Sequence, residues 1–127
     1  MAAAIRILLV EDNDVYRASL ELLLGMQDGL EVVGGVSDGA AAAAACVALQ
    51  ADVVLMDLRL PGLDGPAATE AVRAACPDAA VLGLTAEATD DEADAMTVAG
   101  AVEIVRKGGP VDELVGSIRR AAAGSRP

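Results

Sequence analysis

The sequence predicts an α/β domain built on a doubly wound, five-stranded parallel sheet. Five short apolar segments alternate with five segments of helical character over 127 residues. The apolar segments are mostly continuous rather than alternating, which is typical of parallel strands that are buried on both faces. Strands that alternate with helices favour right-handed crossovers, which place helices on both sides of the sheet.

The first unit is a strand at residues 5–10 followed by a helix at residues 14–26, with Asn13 or Asp14 as the N-cap. The side chains that recur at helical spacing in this helix are Val15, Ser19, Leu22 and Met26. The second unit is a strand at residues 30–36 and a helix at residues 38–49. Asp38 can cap that helix, and its run of alanines consists of strong helix formers.

The third unit starts with a strand at residues 52–57, turns at residues 60–65 and continues as a helix from Pro66, a residue that suits the first helical turn. That helix ends before Pro77.

The fourth unit is a strand at residues 80–85 and a helix at residues 90–100, with Gly100 as its C-cap. The fifth is a strand at residues 102–105 and a helix at residues 110–124. The predicted buried face of the last helix comprises Val111, Leu114, Val115, Ile118 and Ala122.

Composition excludes several classes of function. Nine basic against twenty acidic residues give a net charge of -11, so binding to nucleic acid or to an anionic membrane would oppose the field of the domain. The chain has no histidine and therefore no histidine base, ligand or phosphohistidine. Cys46 and Cys76, predicted in different helices, are expected to be small buried hydrophobes rather than a disulfide framework. Without an apolar run of about 20 residues, a cytoplasmic location is expected.

Reactive side chains follow four of the five predicted strands. They are Glu11 and Asp12 after the first, Asp57 after the third, Thr85 after the fourth and Lys107 after the fifth. Singly, each has an ordinary explanation as a cap, a strand end or a solvated charge. Because the carboxyl ends of parallel strands share one edge of the sheet, we expect them to meet there.

Three neighbouring carboxylates repel one another unless a positive group lies between them. Mg²⁺ is the natural occupant because it prefers oxygen ligands. A carboxylate nucleophile, a metal, an ammonium group and a hydroxyl are also the groups that phosphoryl transfer requires.

The chain resembles the receiver domain of two-component response regulators over nearly its whole length. The resemblance rests on ILLVEDN, DVVLMDLRLPGLDG, LGLTAEA and AGAVEIVRKGG, which occur in this order at predicted strand ends. The segments EVVGGVSDG and LMDLRLPGLDG are most similar to the subgroup with helix-turn-helix output domains. The resemblance implies a flavodoxin-like (βα)5 fold with strand order 2-1-3-4-5. It also implies one receiver domain at residues 1–127, with its core at about 5–123 and a linker or tail from 124.

The resemblance assigns roles to the strand-end residues. Asp57 would accept a phosphoryl group, Thr85 would bond one phosphoryl oxygen, and Lys107 would pair with another. The Mg²⁺ ligands would be Glu11, Asp12, Asp57 and the backbone carbonyl of Arg59. The donor would be a sensor histidine kinase, a phosphotransfer protein or a small phosphodonor. An output domain, a target protein or a second copy of the chain would read the change, and the domain would be a regulatory phosphoacceptor rather than an enzyme.

The sequence departs from the family at several positions. Ile104 stands where many receivers carry an aromatic residue that moves with the threonine, so a switch of that kind cannot operate here. Gly108 replaces a common proline, and Glu11 replaces the commoner aspartate of the acidic pair. Arg59 and Glu87, each two residues beyond a site residue, are expected to influence the lifetime of the acyl phosphate.

Two alternatives to a phosphorylated switch remain open from the residues alone. One is an interaction module of the same shape that works without phosphorylation, which Ile104 favours. The other is an aspartyl-phosphate phosphatase or phosphotransferase, but those enzymes typically carry a second acid two residues after the nucleophile, where this chain has Arg59. A flavin-binding protein is disfavoured because no Ser/Thr/Gly-rich phosphate loop follows the first strand.

Overall fold

The computed structural model describes residues 3–125. The strands are β1 (Ile5–Val10), β2 (Leu30–Val36), β3 (Val53–Asp57), β4 (Ala80–Thr85) and β5 (Glu103–Arg106). The helices are α1 (Asp14–Gly25), α2 (Ala42–Leu49), α3 (Gly65–Ala75), α4 (Asp90–Ala99) and α5 (Val111–Ser125). All strand pairs are parallel and their order is β2-β1-β3-β4-β5. The predicted fold class and strand order are confirmed.

Helices cover both faces of the sheet, and successive side chains of the strands alternate between them. In β1, Ile7 and Leu9 join a core formed with α1 and α5. Leu8 and Val10 point the other way, into a core formed with α2, α3 and α4. Strand β3 is buried along its whole length and the last four residues of β1 are buried, so Glu11 and Asp57 enter the site from the buried centre of the sheet.

The side chains whose spacing predicted α1 are not the ones that this helix buries. Val15, Leu22 and Met26 are 78%, 68% and 73% exposed, whereas Leu20 and Leu24 are buried against the sheet. Apolar side chains recur at helical spacing on both sides of this helix, so spacing alone did not identify the buried side. In α5, by contrast, the predicted face packs into the core as expected.

Several element boundaries differ from the predicted ones. Asp38 caps a short 3-10 helix, Gly39–Ala41, and α2 begins only at Ala42. The N-cap of α3 is Asp64, whose side chain accepts a hydrogen bond from the Ala67 N–H, so the helix begins one residue before Pro66. Strand β5 lies one residue later than predicted, and α5 continues beyond the predicted core limit at residue 123. Residues 126 and 127 of the predicted tail lie outside the described residues.

The two cysteines are neighbours. Cys46 is buried in α2 and Cys76 is the half-buried C-cap of α3, and both are free thiols. Burial, together with a hydrogen bond to Cys76, raises the pKa of Cys46 to about 12. Cys46 is therefore a neutral thiol at ordinary pH, in line with the predicted role of a small hydrophobe. Within residues 3–125, none of the helices has the length and apolar character that crossing a bilayer requires.

Candidate functional site

The strand-end residues predicted to meet do so at the carboxyl edge of the sheet. Glu11, Asp12 and Asp57 each place a carboxylate oxygen within 4.8 Å of the others. Glu11 and Asp57 are buried, and Asp12 is exposed. Thr85 is buried at the end of β4, directly after Leu84, the register partner of Asp57. The three acids predicted to meet therefore lie together, and Thr85 ends the strand beside Asp57.

Lys107 reaches the same cluster from the end of β5. Its Nζ forms an ion pair with Oε1 of Glu11 and lies 3.2 Å from Oδ2 of Asp57. Its backbone N–H donates to the carbonyl of Thr85 at 2.7 Å, which ties the loop to the end of β4. Burial would lower the pKa of Lys107, but the two carboxylates outweigh burial and hold this pKa above its ordinary value. The side chain is therefore a fixed ammonium cation.

Glu11 is oriented by the backbone around it. Its Oε2 accepts a hydrogen bond from the Asn13 N–H at 3.1 Å, and its own N–H donates to the Val36 carbonyl at 3.0 Å. The buried Oε1 is engaged by the Lys107 ammonium. Lys107 supplies one positive charge to a cluster of three carboxylates, and the negative charge left over fits a bound divalent cation.

Close backbone packing holds the loop after Asp57. The Arg59 N–H lies 3.3 Å from Oδ1 of Asp57, and the Gly65 N–H donates to the Leu58 carbonyl at 3.0 Å. A β-carbon on Gly65 would come within 2.6 Å of the Asp57 carbonyl oxygen, so only glycine allows α3 to start this close to the end of β3. The loop leaves an open cleft of about 640 Å³ beside the cluster. Its lining includes Asp12, Arg59, Pro61, Glu92 and Ala95.

An ion pair that the sequence analysis missed joins this loop to α4. The Arg59 guanidinium donates to both carboxylate oxygens of Glu92, at 3.2 and 3.0 Å. Glu92 also closes a capping box with Thr89 at the start of α4. The Thr-x-x-Glu spacing of a capping box was readable from the sequence, but the cross-loop partner was not.

Tyr16 is the second residue that the sequence analysis missed. The Lys107 ammonium lies 5.1 Å from the centroid of its ring. Burial is the main reason why the pKa of Tyr16 is raised. A signal was present in the sequence, because Tyr16 is the one aromatic residue of the chain and follows the acidic pair closely.

Ile104 occupies a half-buried position in β5 and packs into the core on the α4 side of the sheet. A β-carbon on Gly83 would come within 2.8 Å of its Cδ1 and 3.1 Å of the Met96 Cε. The isoleucine therefore fills the space over Gly83, between β4 and α4. This branched aliphatic side chain is partly buried and packs against the core.

The family model described as "Response regulator receiver domain" matches residues 7–119 of this chain. This chain belongs to the response regulator receiver domain family. The receiver domain is 35% identical over 120 residues to "Transcriptional regulatory protein LiaR" of Bacillus subtilis. The alignment covers 94% of this chain but 57% of that relative, so the chain spans little more than half of its length.

Solved receiver domains have the same architecture. The signal receiver domain of the response regulator NarL from Mycobacterium tuberculosis is 28% identical, with a TM-score of 0.91 and coverage of 97% of this chain and 99% of that one. The receiver domain of the sensor histidine kinase PA1611 from Pseudomonas aeruginosa is 32% identical, with a TM-score of 0.84 and coverage of 95% and 99%. That structure has a magnesium ion coordinated in its active site cleft. The predicted membership in the receiver family is confirmed, and a transcriptional regulator among the relatives agrees with the predicted subgroup.

The Arg59–Glu92 pair predicts an unusual titration of the receiver domain. The hydrogen bond from Arg59, with help from the Thr89 backbone, lowers the pKa of Glu92 from 4.5 to about 2. Since the lowered pKa belongs to the carboxylate, the pair persists as the pH falls below 4.5 and is lost only as the pH passes about 2. In Arg59→Ala we expect the pKa of Glu92 to rise towards 4.5, as measured by carboxyl-carbon NMR.

Arg119→Ala is the matched control, because Arg119 donates to the Asp28 carbonyl on another part of the surface. A pKa of Glu92 that is ordinary in the parent, or that Arg59→Ala leaves unchanged, would contradict the pairing.

Proposed function

We propose that this receiver domain accepts a phosphoryl group on Asp57 and works as a phosphorylation-dependent switch in two-component signalling. One observation carries the proposal: Asp57 is buried at the end of β3 beside two further carboxylates, with the Lys107 ammonium 3.2 Å from its Oδ2. A carboxylate in this setting has a nucleophilic oxygen and a nearby cation for the charge of the incoming group.

The acidic cluster supports a Mg²⁺ cofactor. Its ligands would be Glu11, Asp12, Asp57 and the backbone carbonyl of Arg59. When bound, Mg²⁺ neutralises charge on the transferring phosphoryl group. The excess of negative charge in the cluster, where one ammonium faces three carboxylates, supports this assignment. The magnesium ion in the PA1611 receiver domain supports it as well.

In the transfer step an oxygen lone pair of Asp57 attacks phosphorus, and the bond between phosphorus and its donor breaks. With a phosphohistidine donor, the imidazole nitrogen leaves with the electrons of the P–N bond. Lys107 compensates the new charge on one phosphoryl oxygen, and the Thr85 hydroxyl donates to another. The donor would be a sensor histidine kinase or a phosphotransfer protein, and a small acyl phosphate can replace it.

The new charge would bias the loops at this edge between two arrangements, which a partner then reads. That reader would be an output domain, a target protein or a second copy of the chain, in the cytoplasm. Because residue 104 is an isoleucine, the change would pass through the Thr85 and Lys107 loops rather than through a moving aromatic ring. The same residue favours the second candidate function, an interaction module that needs no phosphorylation.

Phosphorylation is tested by incubation of the chain with Mg²⁺ and acetyl phosphate, followed by intact mass. We expect one added phosphoryl group, a gain of about 80 Da, because Asp57 is a nucleophile beside a cation. Asp57→Asn should take up none, since the amide is a poor nucleophile.

The matched control is Asp64→Asn, which alters the N-cap of α3 outside the acidic cluster and should still be phosphorylated. If the parent gains no mass with Mg²⁺, or if Asp57→Asn gains the same adduct, Asp57 is not the acceptor. The phosphorylation-independent module then becomes the better description.

The lifetime of the acyl phosphate should depend on Arg59 and Glu87, which lie two residues beyond Asp57 and Thr85. Side chains at these positions would limit the approach of water, so we expect Arg59→Ala and Glu87→Ala to shorten the lifetime roughly two- to fivefold, the range for exposed charge contacts. The decay of the phosphorylated mass after donor removal measures it. Arg119→Ala and Glu70→Ala are the controls, and loss rates equal to that of the parent in both test variants would refute the role.

A further inference from the structure

We propose that Tyr16 is a positioning residue for Lys107, and that its ring holds the ammonium group within reach of the phosphoryl group on Asp57. The inference rests on the proposed phosphoacceptor function. It adds a residue that belongs neither to the acidic cluster nor to the strand-end set. The contact that carries it is the 5.1 Å separation between the Lys107 Nζ and the ring centroid.

Tyr16 is itself held in place. The Tyr16 backbone N–H donates to the Asn13 side chain at 2.9 Å in the N-cap of α1. The side chain packs against the core formed by α1, α5 and the sheet. Beside it lies a small cavity of about 90 Å³, which the loop residues Gly108 and Pro110 also line. A ring anchored in this way presents a fixed face to the ammonium group.

The residues that follow Lys107 do little to direct its side chain. Both are glycines, and Gly108 adopts a φ of +79°, so neither packs a side chain against the sheet. The side chain is nevertheless only 19% exposed. Contacts at its tip must therefore fix its direction, and the described contacts at the tip are Glu11, Asp57 and the Tyr16 ring.

Phosphoryl transfer would change the contacts of Lys107 with the two carboxylates but not its contact with the Tyr16 ring. A phosphoryl group on Asp57 consumes one carboxylate oxygen and brings new negative oxygens, so the ammonium must exchange its carboxylate partners. The ring is uncharged and takes no part in that exchange. Its attraction for the cation persists throughout, which keeps Lys107 near the reacting atoms.

The test compares Tyr16→Leu, which removes the ring, with Tyr16→Phe, which retains it. Phosphorylation by acetyl phosphate with Mg²⁺ is followed by intact mass, and beryllofluoride affinity is measured in parallel. For Tyr16→Leu we expect a roughly fivefold loss in both, the factor expected from a partly buried cation–π contact. Tyr16→Phe should stay close to the parent. Val15→Ala is the matched control on α1, because the Val15 side chain is exposed and is not among the described contacts of Lys107.

A second readout reports on the contact without phosphorylation. The chain has one tyrosine and no tryptophan, so its intrinsic fluorescence comes from Tyr16. Lys107→Met removes the cation over the ring and should change this emission, and beryllofluoride with Mg²⁺ should change that of the parent. Circular dichroism establishes that each variant is folded. If Tyr16→Leu does not fold, the response of the parent's fluorescence to beryllofluoride tests the contact between Tyr16 and Lys107 instead.

The outcomes separate the two proposals. If the parent takes up no phosphoryl group, the phosphoacceptor function fails and the role of Tyr16 with it. If the parent is phosphorylated and Tyr16→Leu matches it in rate and affinity, only the role of Tyr16 fails. Equal losses in Tyr16→Phe and Tyr16→Leu, or emission indifferent to both Lys107→Met and beryllofluoride, would also overturn that role.

Discussion

The crowding of like charges at the carboxyl edge of the sheet is the constraint on which the rest of this structure depends. Two buried carboxylates, Glu11 and Asp57, follow adjacent central strands, and the parallel register brings them together. Like charges in such a place are unfavourable unless cations accompany them. Lys107 supplies one positive charge and leaves the cluster with a net negative charge. That remaining negative charge fits a divalent cation.

The elements around the acidic cluster hold its residues together by fixing the backbone of the neighbouring loops and helix starts, rather than by adding further positive charge to the cluster. The cap at Asn13 sets the start of α1 and with it the Tyr16 ring, and Gly65 lets α3 begin against the end of β3. On the other side of the cleft, the Arg59–Glu92 pair links the loop after β3 to the first turn of α4. The site is thus held by loops whose positions are coupled to helix starts. The loop that follows Asp57 is thereby joined to the first turns of α3 and α4.

Much of this organisation was predictable from the sequence. Apolar runs, glycines and caps placed the strands and helices, and the strand-end acids with Lys107 identified the cluster because topology alone brings strand ends together. The inner face of α1 was not predictable, since both of its sides carry apolar residues. The Arg59–Glu92 pair and the Tyr16–Lys107 contact depend on how loops approach one another in space, which spacing along the chain does not encode.

Binding of Mg²⁺ to the acidic cluster tests the central claim most directly, through the melting temperature of the chain at constant ionic strength. A cation that binds the folded cluster stabilises it by mass action, about 1.4 kcal/mol at ten times the dissociation constant. For a domain of this size we expect a rise of roughly 3–6 °C in the parent, and little rise in Asp12→Asn. An equal response of parent and variant, or none in the parent at millimolar Mg²⁺, would contradict the claim that charge crowding at this edge makes a cation site.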